Sequence, residues 1–263
     1  MGELVFIGLG LCDEYGLSLR GQLEANSCDV LFAEFYTNPM PSLSVSGLER
    51  LVGKKVEILS RRQVEEGAGE IILSKARNGR VGFLVPGDPL VATTHVDLWL
   101  RAVRVGISSR VIHGASVVSA AAGSTGLQSY KFGRTVTVPV SYEGEFPRSV
   151  IEVIVKNLVM GLHSLVLLEV DVENGRFVSV GTALKLLWST SEGMGERISG
   201  DTLVVGVARV ESKDMRVMAG RLRDVMRFDF GEPPYFLIFP GSLHFVEVEA
   251  LELICHAPKG LMG

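Results

Sequence analysis

Short apolar runs alternate with amphipathic stretches through the first half of the chain, and no other feature restricts the fold as much. Leu4 to Leu9, Val30 to Tyr36, Val56 to Leu59 and Val81 to Val85 have the length of buried strands. Between them, Leu17 to Ser27, Ser44 to Val52 and Arg62 to Arg77 follow helical spacing; the last places Val64, Ile71, Ile72 and Ala76 on or near one face and stops at Asn78-Gly79. This is the rhythm of βαβ units, and it predicts a largely parallel sheet. Ala92 to Val105 predicts another helix, Val111 and Ile112 end a further strand, and Ser116 to Ala122 reads as a short helix of small residues that permits close backbone approach.

The second half changes character at the Gly, Ser and Thr-rich passage Gly123 to Arg134, so a domain junction is expected near residue 113, giving domains 1–112 and 113–263. Thr135 to Val140 reads as a strand and Pro147 to Gly161 as a helix. Leu165 to Val170 is then a strand and Thr182 to Ser191 a helix, followed by strands at Thr202 to Val210 and Tyr235 to Phe239. Asp214 to Met218 is placed antiparallel to the strand before it, which makes the second sheet mixed. Pro233-Pro234 reads as a turn.

With 263 residues, 47% of them apolar and 21% charged, disorder, a collagen-like chain and a small disulfide scaffold are excluded. Mean hydropathy is +0.30, yet no apolar run approaches the roughly 18 residues of a spanning helix. Glu3 stands where a secretory signal would carry positive charge, and Phe6 where a myristoylation signal wants Ser or Thr, so a cytoplasmic protein is expected. The net charge of −4, with both signs interspersed, offers no footprint for nucleic acid or an anionic membrane. Cys12, Cys28 and Cys255 lack C-x-x-C spacing, and the five histidines lack an H-E-x-x-H pair; no metal is expected.

Three loops follow strands and carry the candidate chemistry. Gly8-Leu9-Gly10-Leu11-Cys12-Asp13 opens like a dinucleotide loop, but Asp13 replaces the third glycine and would repel a pyrophosphate, which disfavours an NAD-binding oxidoreductase. Pro86-Gly87-Asp88-Pro89 aims a carboxylate from a fixed turn. His113-Gly114-Ala115-Ser116-Val117 is equally small. Loops at strand ends of an α/β sheet imply a shared crevice; each taken singly is also an ordinary tight turn.

FIGLGLCDE, Ala33-Glu34-Phe35-Tyr36-Thr37, LVPGDPLVATTH (Leu84 to His95) and the run from Val111 to Arg134 together resemble the diphthine synthase family, a branch of the tetrapyrrole methylase-like S-adenosylmethionine enzymes. The resemblance continues through DFGEPPYFLIFPGSLHFVE and covers essentially the whole chain. It implies two α/β domains of the tetrapyrrole methylase-like type, with S-adenosyl-L-methionine in the interdomain cleft and S-adenosyl-L-homocysteine as product. It also implies a homodimer, and translation elongation factor 2 as protein substrate, trimethylated to diphthine on the amino group of a 3-amino-3-carboxypropyl-histidine. Cofactor contacts would fall on Leu11, Asp88, Val91, Ser116 and Val117, and in the second domain on Leu167, Val210 and Tyr235. A one-residue slip along the strands would select Leu168, Arg209 or Pro234 instead. A corrin or porphyrin methyltransferase of the same fold is the nearest alternative, and a noncatalytic cofactor sensor another.

The cofactor carries no phosphate, so an acidic Gly-rich crevice suits it better than NAD. Apolar Leu11, Val91, Val117, Leu167 and Val210 could sandwich its adenine. Methyl transfer needs a neutral amine; Asp13, Glu34, Tyr36 and His113 are the candidate bases in range, none of them singled out. Lys131 and Arg134 are candidate partners for the substrate carboxylate, or else a solvated pair after a loop.

Overall fold

In a computed structural model describing residues 2–67, 69–142 and 145–261, the chain divides after Val117 into two compact units. The junction expected after residue 112 lies one loop earlier, at the end of β5. The first unit contains β1 (Glu3–Gly8), α1 (Leu19–Ser27), β2 (Val30–Ala33), α2 (Val45–Val52) and β3 (Val56–Ile58), then α3 (Glu70–Ala76), β4 (Arg80–Val85), α4 (Val96–Arg104) and β5 (Ser108–Ile112). Its five strands are all parallel in the order β3-β2-β4-β1-β5. Strand alternation sends Leu4 and Phe6 to one face, where they pack with Phe83, Ile72 and Leu98 from β4, α3 and α4. Val5 and Ile7 go to the other, against Leu31, Ala25 and Leu48 from β2, α1 and α2. Both faces being covered is why these strands read as continuous apolar runs.

Two expected helices are shortened. Arg62 to Arg77 is broken into one wide turn (Arg62–Glu66) and α3, because Gly69 adopts a left-handed φ of 65° as the N-cap of α3. The helix expected from Ala92 starts at Val96: Ala92 itself is left-handed at φ 57°, and Thr93 turns its hydroxyl to the Pro89 carbonyl at 2.6 Å. At the amino ends of the strands, Glu3 lies 2.8 Å from both Arg80 and Arg110, and both guanidiniums also bond buried Glu24 of α1. Arg110 and Arg80 hold the Glu24 carboxyl below the usual range against the effect of burial. Charge at this end is closed on itself.

The second unit follows with α5 (Val117–Thr125) crossing the junction, then β6 (Val136–Val138), α6 (Arg148–Val159), β7 (Ser164–Leu168), β8 (Val170–Asp171), β9 (Arg176–Phe177) and α7 (Val180–Met194). β10 (Leu203–Ala208), β11 (Arg216–Arg221), α8 (Leu222–Val225), β12 (Tyr235–Phe239) and α9 (Phe245–Leu253) complete it. Its main sheet is mixed, in the order β11-β10-β12-β7-β6, with only β6 and β7 parallel. Val166, Leu168, Tyr235 and Leu237 share one core with Ile151 and Ile154 of α6 and Leu184 and Leu187 of α7.

Candidate functional site

β4 lies between β2 and β1 although it follows β3, so the chain reverses its direction across the sheet there, and the carboxyl ends of β1, β4 and β5 mark the crevice where open α/β sheets bind ligands. The three loops predicted from sequence leave these ends. Their backbones touch: Gly10 and Gly87 exchange hydrogen bonds of 3.2 and 2.6 Å, each with left-handed φ (79° and 69°). A Cβ on Gly8 would fall 2.5 Å from the Gly114 nitrogen, and one on Gly114 would fall 2.4 Å from the Gly87 carbonyl oxygen. Glycine is required at these positions for close approach.

Around this junction sit Leu11 and Asp88, both 6% exposed, with Ser116 and Val117 half-buried and Val91 exposed. The structure thus brings the five first-unit residues to the ends of three neighbouring strands. Asp88 is fixed twice, accepting from the Leu90 N–H at 3.0 Å and meeting His113 Nδ1 at 2.7 Å. Asp13 caps the turn Glu14–Gly16 through the Tyr15 N–H, and buried Glu14 accepts from the Ser44 N–H at the start of α2, a contact that sequence reasoning missed. Glu14 is unmarked in the sequence because its partner lies thirty residues away.

The second-unit residues are less unified. Leu167 pairs with Phe236 and is half-buried on the face of the sheet away from α6 and α7. Tyr235 lies on the opposite face, inside that core, and its hydroxyl donates to the Gly231 carbonyl. Val210, 9% exposed, stands between two left-handed residues, Arg209 (φ 48°) and Glu211 (φ 68°). That bend is held by the Arg209 guanidinium, which donates to the carbonyls of Phe230, Glu232 and Asp214.

The candidate bases differ in what they can reach. Glu34 is fully buried, 3.2 Å from His95 Nε2, and accepts from the Thr37 N–H and hydroxyl. It anchors the far end of the loop that begins at Asp88. Tyr36 is buried with Arg61 5.3 Å above its ring, and burial together with the charges of Glu34 and Glu65 pushes its phenol well above the usual range, so it stays protonated. His113 keeps a 72% exposed side chain beside Asp88. Lys131 is committed elsewhere: its ammonium donates to Glu247 and to the Ser242 carbonyl. Arg134 is exposed, with its main chain bonded to Asn157, beside a surface groove shared with Thr137, Glu152 and Lys156.

The profile of the Tetrapyrrole (Corrin/Porphyrin) Methylases family matches residues 3–225. The chain is 44% identical to the diphthine synthase of Methanosarcina mazei over 264 aligned positions, covering 98% of each. It is 42% identical to that of Methanothermobacter thermautotrophicus, again over 98% of both chains. A crystal structure of diphthine synthase superposes with a TM-score of 0.88 at 33% identity, covering 99% of this chain and 98% of that one.

Proposed function

Because the chain belongs to the diphthine synthase family of the tetrapyrrole methylases, we propose that it transfers methyl groups from S-adenosylmethionine to modified translation elongation factor 2 in diphthamide biosynthesis. The acceptor is the amino group of a 3-amino-3-carboxypropyl-histidine, trimethylated to diphthine. The crevice chemistry fits that cofactor. The residues of its three loops include Asp13, Asp88 and His113 but no lysine or arginine, a donor set suited to a sulfonium and an ammonium and unsuited to a pyrophosphate.

When bound, S-adenosylmethionine supplies an electrophilic methyl group on a positively charged sulfur. Asp88, held by the Leu90 N–H and His113, would turn the remaining lone pairs of its carboxylate to the cationic end, and Leu11, Val91 and Val117 would offer apolar contact to the adenine. Ser116 supplies polar capacity, while Leu167, Val210 and Tyr235 are the contacts expected from the second unit. Because Leu167 and Tyr235 point to opposite faces, one of them is assigned a main-chain contact, which does not depend on side-chain direction. The protein contributes mainly placement, bringing a neutral amine into line with the methyl.

The observation that supports this most directly is the backbone junction of Gly8, Gly87 and Gly114 beneath Asp88. Calorimetric titration with S-adenosylhomocysteine, with NAD in parallel, tests it. Binding is expected for the wild type, lost in Leu11→Arg and Asp88→Ala, with no heat from NAD; binding of NAD alone, or undiminished binding in both variants, would overturn the assignment. We also read the protein as a cytoplasmic homodimer. No helix among the described residues is long and apolar enough to cross a membrane, and α4 exposes Val96, Leu100 and Val103 along one stripe. Sedimentation at micromolar concentration checks the dimer.

A further inference from the structure

We propose that His113 is the general base that removes the proton from the substrate ammonium, with Asp88 positioning it; this rests on the methyl-transfer reading above. Asp88 Oδ2 lies 2.7 Å from His113 Nδ1, while Oδ1 is occupied by the Leu90 N–H. A carboxylate only accepts hydrogen bonds, so the contact requires the proton of a neutral imidazole to sit on Nδ1. The lone pair is then on Nε2, at the far edge of a ring whose side chain is 72% exposed. An imidazole oriented by a buried carboxylate, with its other nitrogen open, is the arrangement that general bases use.

The backbone of His113 is held as firmly as its ring. It ends the β5 side of the crevice, and the next residue, Gly114, packs against Gly8 and Gly87 with no room for a Cβ. Ser116 and Val117, expected cofactor contacts, follow within one turn. The other titratable side chains between these strands and the helices that follow are Cys12, Asp13, Glu14 and Tyr15 after β1 and Asp88 and His95 after β4; Glu14 is buried on the Ser44 N–H and His95 is buried against Glu34. Asp13 is engaged with the Tyr15 N–H, Glu34 is sealed inside the unit, and Tyr36 is a buried protonated phenol.

The step balances without an additional reagent. Nε2 takes one N–H proton from the substrate ammonium, leaving its electron pair on nitrogen. That pair forms the new C–N bond as the carbon–sulfur bond breaks and its electrons stay on sulfur. The imidazolium then returns the proton to water, and the cycle repeats for each methyl.

The test uses full-length His113→Gln and His113→Ala with elongation factor 2 carrying the 3-amino-3-carboxypropyl-histidine. S-adenosylhomocysteine affinity is expected to stay within threefold of wild type, with kcat/KM at pH 7 lowered at least about a hundredfold. The deficit should shrink about tenfold per pH unit toward high pH, where the substrate amine loses its proton unaided. Added imidazole should restore part of the rate to His113→Ala, because the site is open to solvent. Variant rates within threefold of wild type at pH 7 would overturn the proposal. So would a deficit that is constant with pH and unresponsive to imidazole, or one that accompanies loss of S-adenosylhomocysteine binding. A wild type that binds the product yet transfers no methyl would overturn the functional reading itself, and the base with it.

Discussion

The Glu247 carboxylate, fully buried at the start of α9, accepts from four groups. Oε1 takes the Gln128 N–H and His163 Nε2, both at 2.9 Å; Oε2 takes the His244 N–H at 2.8 Å and the Lys131 ammonium. Its acceptor capacity of about four lone pairs is filled. His163 Nδ1 accepts from the Gly241 N–H at 2.9 Å, so the ring proton sits on Nε2 and the histidine is neutral, as burial also requires by pushing its pKa below 6.5. Burial alone would raise the Glu247 carboxyl, but the His244 N–H, Lys131, the Gln128 N–H and His163 together bring it down to about 2. A carboxyl depressed in the folded state stabilises fully above its unfolded value of 4.5 and loses that contribution as pH falls toward about 2. His163, also depressed, begins to cost stability already below pH 6.5. Glu247→Gln would turn an amide NH2 toward two donors whichever way it is flipped. It is expected to cost about 3–5 kcal/mol, lower Tm by roughly 10 °C, and flatten the acid limb of the stability curve between pH 4.5 and 2. Thermal melts from pH 2.5 to 8 check this; an unchanged limb would assign the acid sensitivity elsewhere.

Among elements, the loops after β1, β4 and β5 depend on backbone contact more than on side chains. Gly114 has no positive φ, so Gly114→Ala tests close approach alone: its Cβ would meet the Gly87 carbonyl oxygen at 2.4 Å and Gly8 at 2.9 Å. It is expected to weaken S-adenosylhomocysteine binding at least tenfold by calorimetry, with the circular dichroism of the sheet retained. Gly193 in α7 has open space around its missing Cβ, and Gly193→Ala should leave binding unchanged and add about 0.5–1 kcal/mol of stability. The strands of the first unit were legible because burial on both faces leaves an apolar run that no helix period explains. The break at Gly69 and the late start of α4 were not, since each depends on a single left-handed residue whose conformation is set by what packs around it. α9 was missed for a different reason. It has exposed Phe245 and Leu253 beside buried Leu251, which blurs its stripe, and its capping box uses His244 in place of the usual Ser or Thr. The crevice could be located from loop order, but the Asp88–His113 contact joins positions that only the fold brings together.

For the molecule as a whole, the question is whether both units bind one ligand. The first unit carries its loops at the ends of a doubly covered parallel sheet; the contacts proposed in the second are Leu167 on β7, Val210 after β10 and Tyr235 on β12, three neighbouring strands of its mixed sheet. A ligand bound to the native state at 100 times its Kd adds about 2.7 kcal/mol of stability, and hydrogen exchange reports where that protection falls. S-adenosylhomocysteine should slow exchange in the loops after β1, β4 and β5 and also along β7 and β12. Leu167→Arg, on the half-buried face, should weaken binding at least tenfold, whereas Tyr235→Phe removes only the bond to the Gly231 carbonyl and should change affinity less than threefold. Protection confined to the first unit, with Leu167→Arg binding like wild type, would remove Leu167, Val210 and Tyr235 from the site and leave the cofactor to the three loops alone.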